Sequence, residues 1–298
     1  MNLLIFQVLF LSILQGVTEL FPISSLGHTV IVPALLGGGD LVRNDNFLPL
    51  ITALHLGTAV ALVLYFWRDW VHVVRTLFVS VRDRKVERNS EEWICWLVLI
   101  GCVPAGLIGL VLEKPLKVLF ATPLVAASFL IVNGFILFFG EVLRRRSEGA
   151  KAQLSVKARE AHARPLASLS WKEAILVGLA QSLALVPGIS RSGTTIVGGL
   201  SVRLSHADAA RFSFLLGTPI ILAAALLEIP KLFHHSDFPL LLIFTGMVVS
   251  GITAYLSTKF LMKYFESGRL NPFAYYCWGF GAIALVLILL NVHLNIQF

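Results

Sequence analysis

The sequence predicts an all-α polytopic membrane protein with an inverted-topology repeat, each half a re-entrant helical hairpin plus three transmembrane helices. Composition is the first reason, because the chain is 57% hydrophobic and only 14% charged, whereas soluble domains carry about 25% charged residues. Several apolar stretches also reach the roughly 20 residues that a helix needs to cross a bilayer. Finally, a polar segment of sixteen residues occurs twice, once in each half.

The N-terminal repeat is predicted over residues 1–143. Its re-entrant hairpin takes residues 2–36, because the apolar stretches around the polar segment are too short to span alone. Spans follow at 47–67, 93–112 and 119–143, and Glu113–Lys117 is expected to form the turn before the last span. No Lys or Arg precedes the first apolar stretch, so we expect it to be retained rather than cleaved as a signal peptide.

A basic polar segment at 144–172 is predicted to link the two halves on the cytoplasmic side. The C-terminal repeat then covers 173–298 with the same plan. Its re-entrant hairpin is predicted at 173–201, and its spans at 212–227, 238–261 and 272–290. Glu228–Asp237, which contains a proline, is expected to be a loop.

Three spans between the hairpins turn the second hairpin upside down relative to the first. The Lys/Arg-rich segments 68–92 and 144–172 are two spans apart and therefore share a side, which their charge marks as cytoplasmic. The termini are then expected outside. The first hairpin enters from outside and the second from the cytoplasm, so their tips can meet near the midplane, as in other inverted-repeat membrane proteins.

Charge and cysteine patterns exclude two further classes of function. The net charge of +7 does not indicate nucleic-acid binding, because the basic residues lie in short segments between apolar spans. Cys95, Cys102 and Cys277 all lie in apolar segments, and their spacing is not that of a zinc site. We expect these three cysteines to be small buried hydrophobic residues.

The two polar segments, Gln15–Val30 and Gln181–Ile196, align without gaps. They share five identities, at the pairs Gln15/Gln181, Ile23/Ile189, Ser24/Ser190, Gly27/Gly193 and Thr29/Thr195. The repeat continues into the following spans, where Leu-Gly-Thr occurs at 56–58 and again at 216–218. Polar, broken segments at membrane depth are tolerated only where they line a cavity, and a pair of them in corresponding halves predicts a binding site.

The first motif supplies a carboxylate, a hydroxyl and an imidazole. Glu19 is an ionisable residue at membrane depth, which is costly and therefore indicates function. Pro22 should end any preceding helix, and a turn with Ser24, Ser25 and His28 follows. The i, i+3 spacing of the last two residues allows a contact if the segment is helical. A hydroxyl beside a base is the minimum for nucleophilic catalysis, so we assign catalytic roles to this set.

The second motif predicts an anion-binding site around Arg191. A glycine-containing turn that opens a helix directs free N–H groups at an anion, and the planar guanidinium suits phosphate oxygens. A purely structural ion pair with Glu19 is the alternative for this arginine. Together with Ser24 of the first motif, the predicted substrate-binding residues are Ser190, Ser192, Gly193, Thr194 and Thr195.

An anion receptor that faces a hydroxyl, an imidazole and a carboxylate inside a membrane best fits a phosphate carried on a lipid. Phosphoryl transfer requires mainly positioning, charge stabilisation and proton management. The same charges would also suit a lipid-phosphate transporter or flippase, which is a function of another class. A scaffold role is a third alternative, and the density of motifs argues against it.

Both motifs resemble those of the BacA/UppP family of undecaprenyl-diphosphate phosphatases. The family signatures E-G-x-T-E-F-x-P-(V/I)-S-S-T-G-H and P-G-x-S-R-S-G-x-T stand here as QGVTELFPISSLGH and PGISRSGTT. The resemblance extends to LGTAVALVLYFW (56–67) and FSFLLGTPI (212–220), so it covers most of the chain. Two positions depart from the signatures, since Gln15 replaces a glutamate and Leu26 replaces a threonine.

The resemblance implies an inner-membrane hydrolase with inverted repeats that removes the terminal phosphate of undecaprenyl diphosphate. The product is the lipid carrier for peptidoglycan and other wall polymers, and overproduction in the family gives bacitracin resistance. By position, Glu19, Ser25, His28 and Arg191 correspond to catalytic residues, with Ser25 as the proposed nucleophile, unless a water attacks in its place. Ser190 and Thr195 correspond to further polar site residues.

The resemblance also implies a divalent cation, Mg²⁺ or Ca²⁺, with Glu19 and Gln15 as the ligand positions. A neutral amide at Gln15 weakens that expectation, because hard divalent ions prefer carboxylate ligands. The expected partners are the polyprenyl diphosphate and membrane lipids, with a homodimer as an open alternative. The active site is expected to open to the outer, periplasmic side of the bacterial inner membrane.

Overall fold

A computed structural model describes residues 2–38, 41–42, 44, 46–83, 91–120, 122–147, 163–235 and 238–290. Over these ranges the chain is all-helical, with eleven α-helices and two short 3₁₀ turns. In chain order the helices are α1 Asn2–Thr18, α2 Ser25–Leu35, α3 Phe47–Tyr65, α4 Trp67–Asp83, α5 Glu91–Phe120, α6 Pro123–Ser147, α7 Trp171–Ser182, α8 Arg191–Ser201, α9 His206–His235, α10 Leu240–Tyr264 and α11 Asn271–Leu289.

Six of the described helices, α3, α5, α6, α9, α10 and α11, are long and apolar enough to cross a membrane. The predicted all-helical, multi-pass class is therefore confirmed. Helices α1, α2, α7 and α8 are shorter, with 17, 11, 12 and 11 residues. Each is below the roughly 20 residues that a crossing requires. They flank the two polar motifs in pairs, α1 with α2 and α7 with α8.

The turn predicted at Glu113–Lys117 is wrong, because α5 continues without a break to Phe120. A proline inside a helix removes one backbone hydrogen bond, which a membrane helix tolerates when neighbouring groups compensate for it. The chain instead breaks directly before Pro123, which opens α6. A proline at the first helical position is favourable, whereas the residue before it, Thr122, is disfavoured in helical geometry.

The loop predicted at Glu228–Asp237 is also wrong over most of its length, because α9 is helical to His235. Helix α9 contains Pro219 and Pro230 and has 30 residues. Its candidate span, His206–Pro230, is longer than the span predicted at 212–227. As in α5, proline alone did not mark a helix end in this apolar setting.

Helix packing sets the position of the two motifs. Helix α1 packs against α10, and α7 packs against α5. Helix α3 lies against α9 and α10, while α6 lies against α11 and α8. Glycines allow the helices in two of these pairs to approach closely. A Cβ added at Gly16 in α1 would lie 2.3 Å from the Ser250 carbonyl oxygen of α10. A Cβ added at Gly178 in α7 would lie 2.1 Å from the Gly101 carbonyl oxygen of α5. Small residues at such contacts are typical of membrane helix pairs.

The predicted division of the chain into two repeats with a linker at 144–172 stays a prediction. The beginning of that segment, 144–147, belongs to the end of α6. Residues 163–172 lead through the 3₁₀ turn Leu166–Ser168 into α7, and Arg164 there pairs with Glu173 at 2.5 Å. The part of the linker at 148–162 lies outside the described residues.

Candidate active site

The first motif forms the turn between α1 and α2. Helix α1 ends at Thr18, before Pro22, and α2 begins at Ser25. Ser24 caps α2, with its Oγ accepting a hydrogen bond from the Gly27 backbone N–H at 3.2 Å. Its φ of 68° is in the left-handed region, which is uncommon for a residue other than glycine and frequent at functional sites. This turn places the Ser25 hydroxyl at the first position of α2.

The second motif forms the turn between α7 and α8. A 3₁₀ segment, Leu183–Leu185, follows α7, and Gly188 then adopts a φ of 96°. A side chain at Gly188 is excluded by packing as well, since a Cβ would lie 2.2 Å from the Ala126 carbonyl oxygen. Ser190 caps α8 by accepting a hydrogen bond from the Gly193 N–H at 3.1 Å. Arg191 is therefore the first residue of α8.

Glu19 is the centre where the two motifs meet, and it is only 6% exposed. Arg191 Nη2 donates to its Oε1 at 2.8 Å, although 172 positions separate the two residues. Its Oε2 accepts hydrogen bonds from Ser25 Oγ at 2.5 Å and from Gln15 Nε2 at 3.0 Å. His55 Nε2 lies 3.2 Å from the same oxygen. The predicted convergence of the carboxylate, the hydroxyl and the guanidinium is therefore present.

His28 makes its hydrogen bonds elsewhere, and none of those seen among the described residues joins it to Ser25, a contact that the spacing of the two residues allowed. Its Nδ1 is 2.7 Å from the Ser24 carbonyl oxygen, and its Nε2 is 2.8 Å from the Tyr276 hydroxyl. The ring also stacks on Phe280, with ring centroids 4.8 Å apart. The Ser25 hydroxyl instead donates back to the carboxylate of the preceding turn. Aromatic partners on α11 thus direct the imidazole away from the hydroxyl.

The imidazole that does contact the carboxylate is that of His55, which the sequence reasoning did not single out. His55 lies in α3, directly before the repeated Leu-Gly-Thr. Its Nδ1 is 2.7 Å from the Ile51 carbonyl oxygen, and its Nε2 faces Glu19. Both ring nitrogens therefore face acceptor oxygens, an arrangement that satisfies the doubly protonated ring. An ionisable residue inside an apolar span was the signal that could have found it.

A second residue without a sequence assignment, Asn133 of α6, ties the two motif turns together. Asn133 is fully buried. Its Oδ1 accepts a hydrogen bond from the Ser190 N–H at 3.0 Å, and its Nδ2 donates to the Pro22 carbonyl oxygen at 2.9 Å. One side chain thereby satisfies a backbone donor in one turn and an acceptor in the other, which fixes their relative position. The feature of the sequence that could have identified Asn133 is that it is a single amide side chain within an apolar span.

Three of the residues predicted to bind substrate use their hydroxyls to hold the second motif together. Ser192 Oγ donates to the Phe21 carbonyl oxygen at 3.1 Å, which joins the second motif to the first. Thr194 Oγ1 donates to the Ser190 carbonyl oxygen at 3.1 Å, and Thr195 Oγ1 to the Arg191 carbonyl oxygen at 2.7 Å. These contacts position α8 and its first residue. A direct contact of these hydroxyls with substrate stays a prediction.

Because Gly193 and Gly217 carry no side chain, they leave room for the Arg191 guanidinium and for the turn that precedes it. A Cβ at Gly193 would lie 3.1 Å from side-chain atoms of Leu137 and Ser190. A Cβ at Gly217 in α9 would lie only 2.0 Å from Arg191 Nη1. The guanidinium therefore packs directly on the α9 backbone, where the same Nη1 donates to the Ser213 carbonyl oxygen at 3.2 Å. The glycine of the repeated Leu-Gly-Thr thus has a role in the site.

A cavity of about 240 Å³ lies where the motifs meet. Its polar lining consists of Glu19, Ser24, Ser25, Thr52, His55, Gln181, Ser190 and Arg191. Its apolar lining consists of Leu26, Ala105, Ala184, Leu185, Ile189, Ile220, Ile221 and Ala224. A charged and hydroxyl-bearing region beside an apolar wall suits an amphipathic anion. A small anionic group can contact the arginine while its carrier lies against apolar side chains.

The arrangement does not fit a divalent cation held by the protein. Among the described residues no group of three or more His, Cys, Asp or Glu could hold a metal ion. The Glu19 carboxylate is already engaged, since its Oε2 contacts Ser25, Gln15 and His55 and its Oε1 accepts a hydrogen bond from Arg191. The positive charge of that guanidinium opposes a cation beside it. Gln15 Oε1 is buried without a partner in the described part of the chain. A single neutral oxygen is not the oxygen cage that Mg²⁺ or Ca²⁺ requires.

Comparison with known proteins gives a consistent result over nearly the whole chain. The family model described as bacitracin resistance protein BacA matches residues 8–283. An undecaprenyl-diphosphatase of Mycolicibacterium paratuberculosis is 46% identical over 290 residues, covering 93% of this chain and 95% of the relative. Undecaprenyl-diphosphatase 2 of Burkholderia thailandensis is 48% identical over 271 residues, covering 91% and 92%. An undecaprenyl-diphosphatase of Acidiphilium cryptum is 45% identical, covering 93% and 95%.

Proposed function

The chain belongs to the family of the bacitracin resistance protein BacA, and we propose that it hydrolyses undecaprenyl diphosphate to the monophosphate and inorganic phosphate. Relatives named undecaprenyl-diphosphatase support this assignment. One observation from the structure supports the proposed chemistry. Arg191 of one motif and Ser25 of the other both bond to Glu19 at the edge of a shared cavity.

Arg191 is proposed to bind the diphosphate. It is the first residue of α8, where the helix dipole and the N-terminal N–H groups also favour an anion. Its Nη2 donates a hydrogen bond to the Glu19 carboxylate, and its Nη1 donates one to a backbone carbonyl oxygen. These two anchors hold the guanidinium plane in one orientation before substrate arrives. A guanidinium held in this way stabilises charge on phosphate oxygens without reorganising during the reaction.

Ser25 is proposed as the nucleophile, with a water as the alternative. In the serine pathway, Oγ forms a bond to the terminal phosphorus while its proton passes to Glu19 Oε2, its present hydrogen-bond acceptor at 2.5 Å. The bond from phosphorus to the bridging oxygen breaks, and the electron pair leaves on the lipid monophosphate. A water then attacks the serine phosphate, the bond from phosphorus to Oγ breaks, and Oγ takes back the proton held by Glu19, while the remaining proton of the water leaves with the inorganic phosphate. The carboxylate is thus the base nearest the nucleophile.

The two histidines receive different proposed roles. His55 Nε2 lies 3.2 Å from Glu19 Oε2, and His55 lines the cavity, so we assign it to balancing the charge of the carboxylate. The shuttle role predicted for His28 has no support in its contacts, since both of its nitrogens already have partners on the Ser24 carbonyl and Tyr276. We propose His28 as a positioning residue that holds the strained Ser24 turn against α11.

The inverted repeat is proposed from helix packing. The pairing of α1 with α10 is matched by that of α7 with α5, as expected if the halves exchange places about a twofold axis. Helix α3 also packs on its counterpart α9, and α6 on its counterpart α11. On this basis α1–α2 and α7–α8 are re-entrant hairpins that enter from opposite sides of the bacterial inner membrane. The basic ends of α6 and α10 would face the cytoplasm, and the site the periplasm.

Two expectations stay predictions. A divalent cation is implied by the resemblance, but one carboxylate paired with Arg191 and one amide oxygen are not the ligand set it requires, so no step is assigned to it. Phosphate release with and without EDTA decides whether a cation is needed. A homodimer is likewise a prediction, which the mass of the purified protein in detergent tests.

The proposed function is tested by phosphate release from undecaprenyl diphosphate in detergent. Arg191→Ala is expected to reduce kcat/KM by at least about 10²-fold, as for the loss of one positioned oxyanion donor. Ser25→Ala removes the proposed nucleophile and is expected to reduce kcat/KM at least as much. Ser128→Ala is the matched control, because the one hydrogen bond of its hydroxyl among the described residues is to the Leu124 carbonyl within α6. Wild-type-like release by Arg191→Ala would contradict the proposed site, and no release by the unmodified protein would contradict the function.

A lipid-phosphate transporter is the second candidate. The neutral amide of Gln15 favours it, since the loss of one acidic group spares anion binding more than catalysis. Liposomes loaded with the lipid diphosphate distinguish the two functions. Movement of lipid between leaflets without phosphate release would support the transporter, whereas release alone supports the phosphatase.

A further inference from the structure

Gln181 has an unusual environment within the cavity. It lies in the last turn of α7, is only 2% exposed, and lines the cavity together with Arg191 and Ser190. Neither its Nε2 nor its Oε1 has a hydrogen-bond partner among the described residues. Buried side-chain amides almost always have partners, so a fully unpaired one requires an explanation.

The corresponding residue of the first motif shows the contrast. Gln15 is also fully buried, and its Nε2 donates to Glu19 at 3.0 Å. Gln15 is not among the residues that line the cavity, whereas Gln181 is. The repeat therefore places one amide behind the carboxylate as internal support. It places the other side chain, that of Gln181, in the lining of the cavity, with its hydrogen-bonding groups unused.

We propose that Gln181 is a substrate-binding residue whose Nε2 donates to a non-bridging oxygen of the terminal phosphate, while its Oε1 accepts a hydrogen bond from a water held beside that phosphate. The identity of the substrate rests on the proposed function. The amide supplies both a donor and an acceptor at one place without adding charge. It complements Arg191, whose guanidinium can only donate.

Energetics support a ligand in this place. An unpaired buried polar group carries its full desolvation cost, and a ligand that supplies partners removes that cost on binding. An apolar residue of the same size would not carry the cost in the empty site. It follows that replacing Gln181 should weaken binding without destabilising the protein, which is the opposite of the result expected for a structural residue.

The test compares Gln181→Met, which is similar in size and apolar, with the unmodified protein. We expect the KM for undecaprenyl diphosphate and the Ki of inorganic pyrophosphate to rise roughly 10- to 100-fold, as for the loss of a hydrogen bond to a charged group. The Tm is expected to stay equal or to rise. Gln181→Glu, which places a negative charge beside the phosphate, is expected to bind pyrophosphate more weakly still. Ser182→Ala is the control, because its hydroxyl bonds to the Gly178 carbonyl within α7.

The outcomes separate this inference from the proposed function. Unchanged KM and Ki in Gln181→Met would overturn the inference, as would a lower Tm with an unchanged Ki. If that variant does not fold, Gln181→Leu, which is also apolar and close in size, carries the same test. If the unmodified protein releases no phosphate, the proposed function fails, and calorimetric binding of pyrophosphate to both proteins still decides the role of Gln181. Equal affinity, or no binding by either protein, would overturn it.

Discussion

Substitution of Gly217 by alanine is the sharpest probe of how the arginine is held. The added Cβ would lie 2.0 Å from Arg191 Nη1 and 2.4 Å from Cζ. Both distances are far below van der Waals contact, so one partner must move. The Gly217 backbone is fixed inside α9, whereas the guanidinium is the end of a flexible side chain. We therefore expect the guanidinium to be displaced and the helix to stay intact.

The size of the effect follows from the contacts that this displacement breaks. Arg191 would lose its bond to Glu19 at 2.8 Å and its bond to the Ser213 carbonyl oxygen at 3.2 Å. Loss of one positioned donor to a developing oxyanion costs about 10²–10³-fold in rate, or ~2.7–4 kcal/mol of activation free energy. Alanine in a helix interior is favoured over glycine by about 1 kcal/mol, which offsets part of the lost stabilisation. A large loss of activity with little loss of stability is the expected result.

The assay is phosphate release from undecaprenyl diphosphate, combined with thermal denaturation of the same preparations. Gly106→Ala is the matched control, because a Cβ at that position of α5 would lie within 4 Å of no atom of the other described parts of the chain. We expect kcat/KM to fall by about 10²–10³-fold in Gly217→Ala and to be unchanged in Gly106→Ala. Wild-type kcat/KM in Gly217→Ala would refute the argument that a fixed guanidinium on α9 carries the site. Loss of folding in Gly217→Ala alone would refute the argument that the side chain yields first.

Three further predictions concern residues around the same carboxylate and turns. Asn133→Leu leaves two buried backbone groups unpaired, which costs ~1–3 kcal/mol of stability for each group. We therefore expect the Tm and the activity to fall together. An unchanged Tm would contradict the role of Asn133 in joining the two turns. His55→Ala is expected to lower kcat by at least about 10-fold with the fold retained. Phosphate release and the Tm of the same preparation check this. A kcat equal to that of the unmodified protein would show that His55 has no part in the site. Gln15→Glu places a second carboxylate at the position that now donates to Glu19 at 3.0 Å. Paired carboxylates favour a shared proton or a cation, so we expect phosphate release to become sensitive to EDTA. Insensitivity to EDTA would argue against a cation between the two carboxylates.

Local patterns predicted helices well but were poor at predicting helix ends. Apolar length marked all six candidate spans, because the bilayer requires a given number of apolar residues whatever the fold. Proline misled the prediction twice, at Pro115 and at Pro230, since both lie inside long helices. In an apolar environment the neighbouring helices decide whether a proline ends a helix or is accommodated in it.

The approach of Arg191 to Glu19 could be anticipated from the sequence, because the two motifs supply one buried cation and one buried carboxylate, which favour each other as partners. The partner of Ser25 could not be anticipated. Its spacing to His28 fits one helical face, yet a short turn directs the hydroxyl to the carboxylate, and ring stacking on α11 takes the imidazole elsewhere. Spacing along one helix does not determine which groups from other helices compete for the same side chain.

By itself, the sequence determined the helical class, the membrane spans and the residue types that the two motifs supply, because these depend on hydrophobic length and on local turn chemistry. Only the tertiary structure decided that His55 contacts the carboxylate, that Asn133 joins the turns, and that Gln181 is left unpaired at the cavity. Each of these three side chains comes from a different helix. Their meeting depends on how the helices pack, which no local pattern in the sequence specifies.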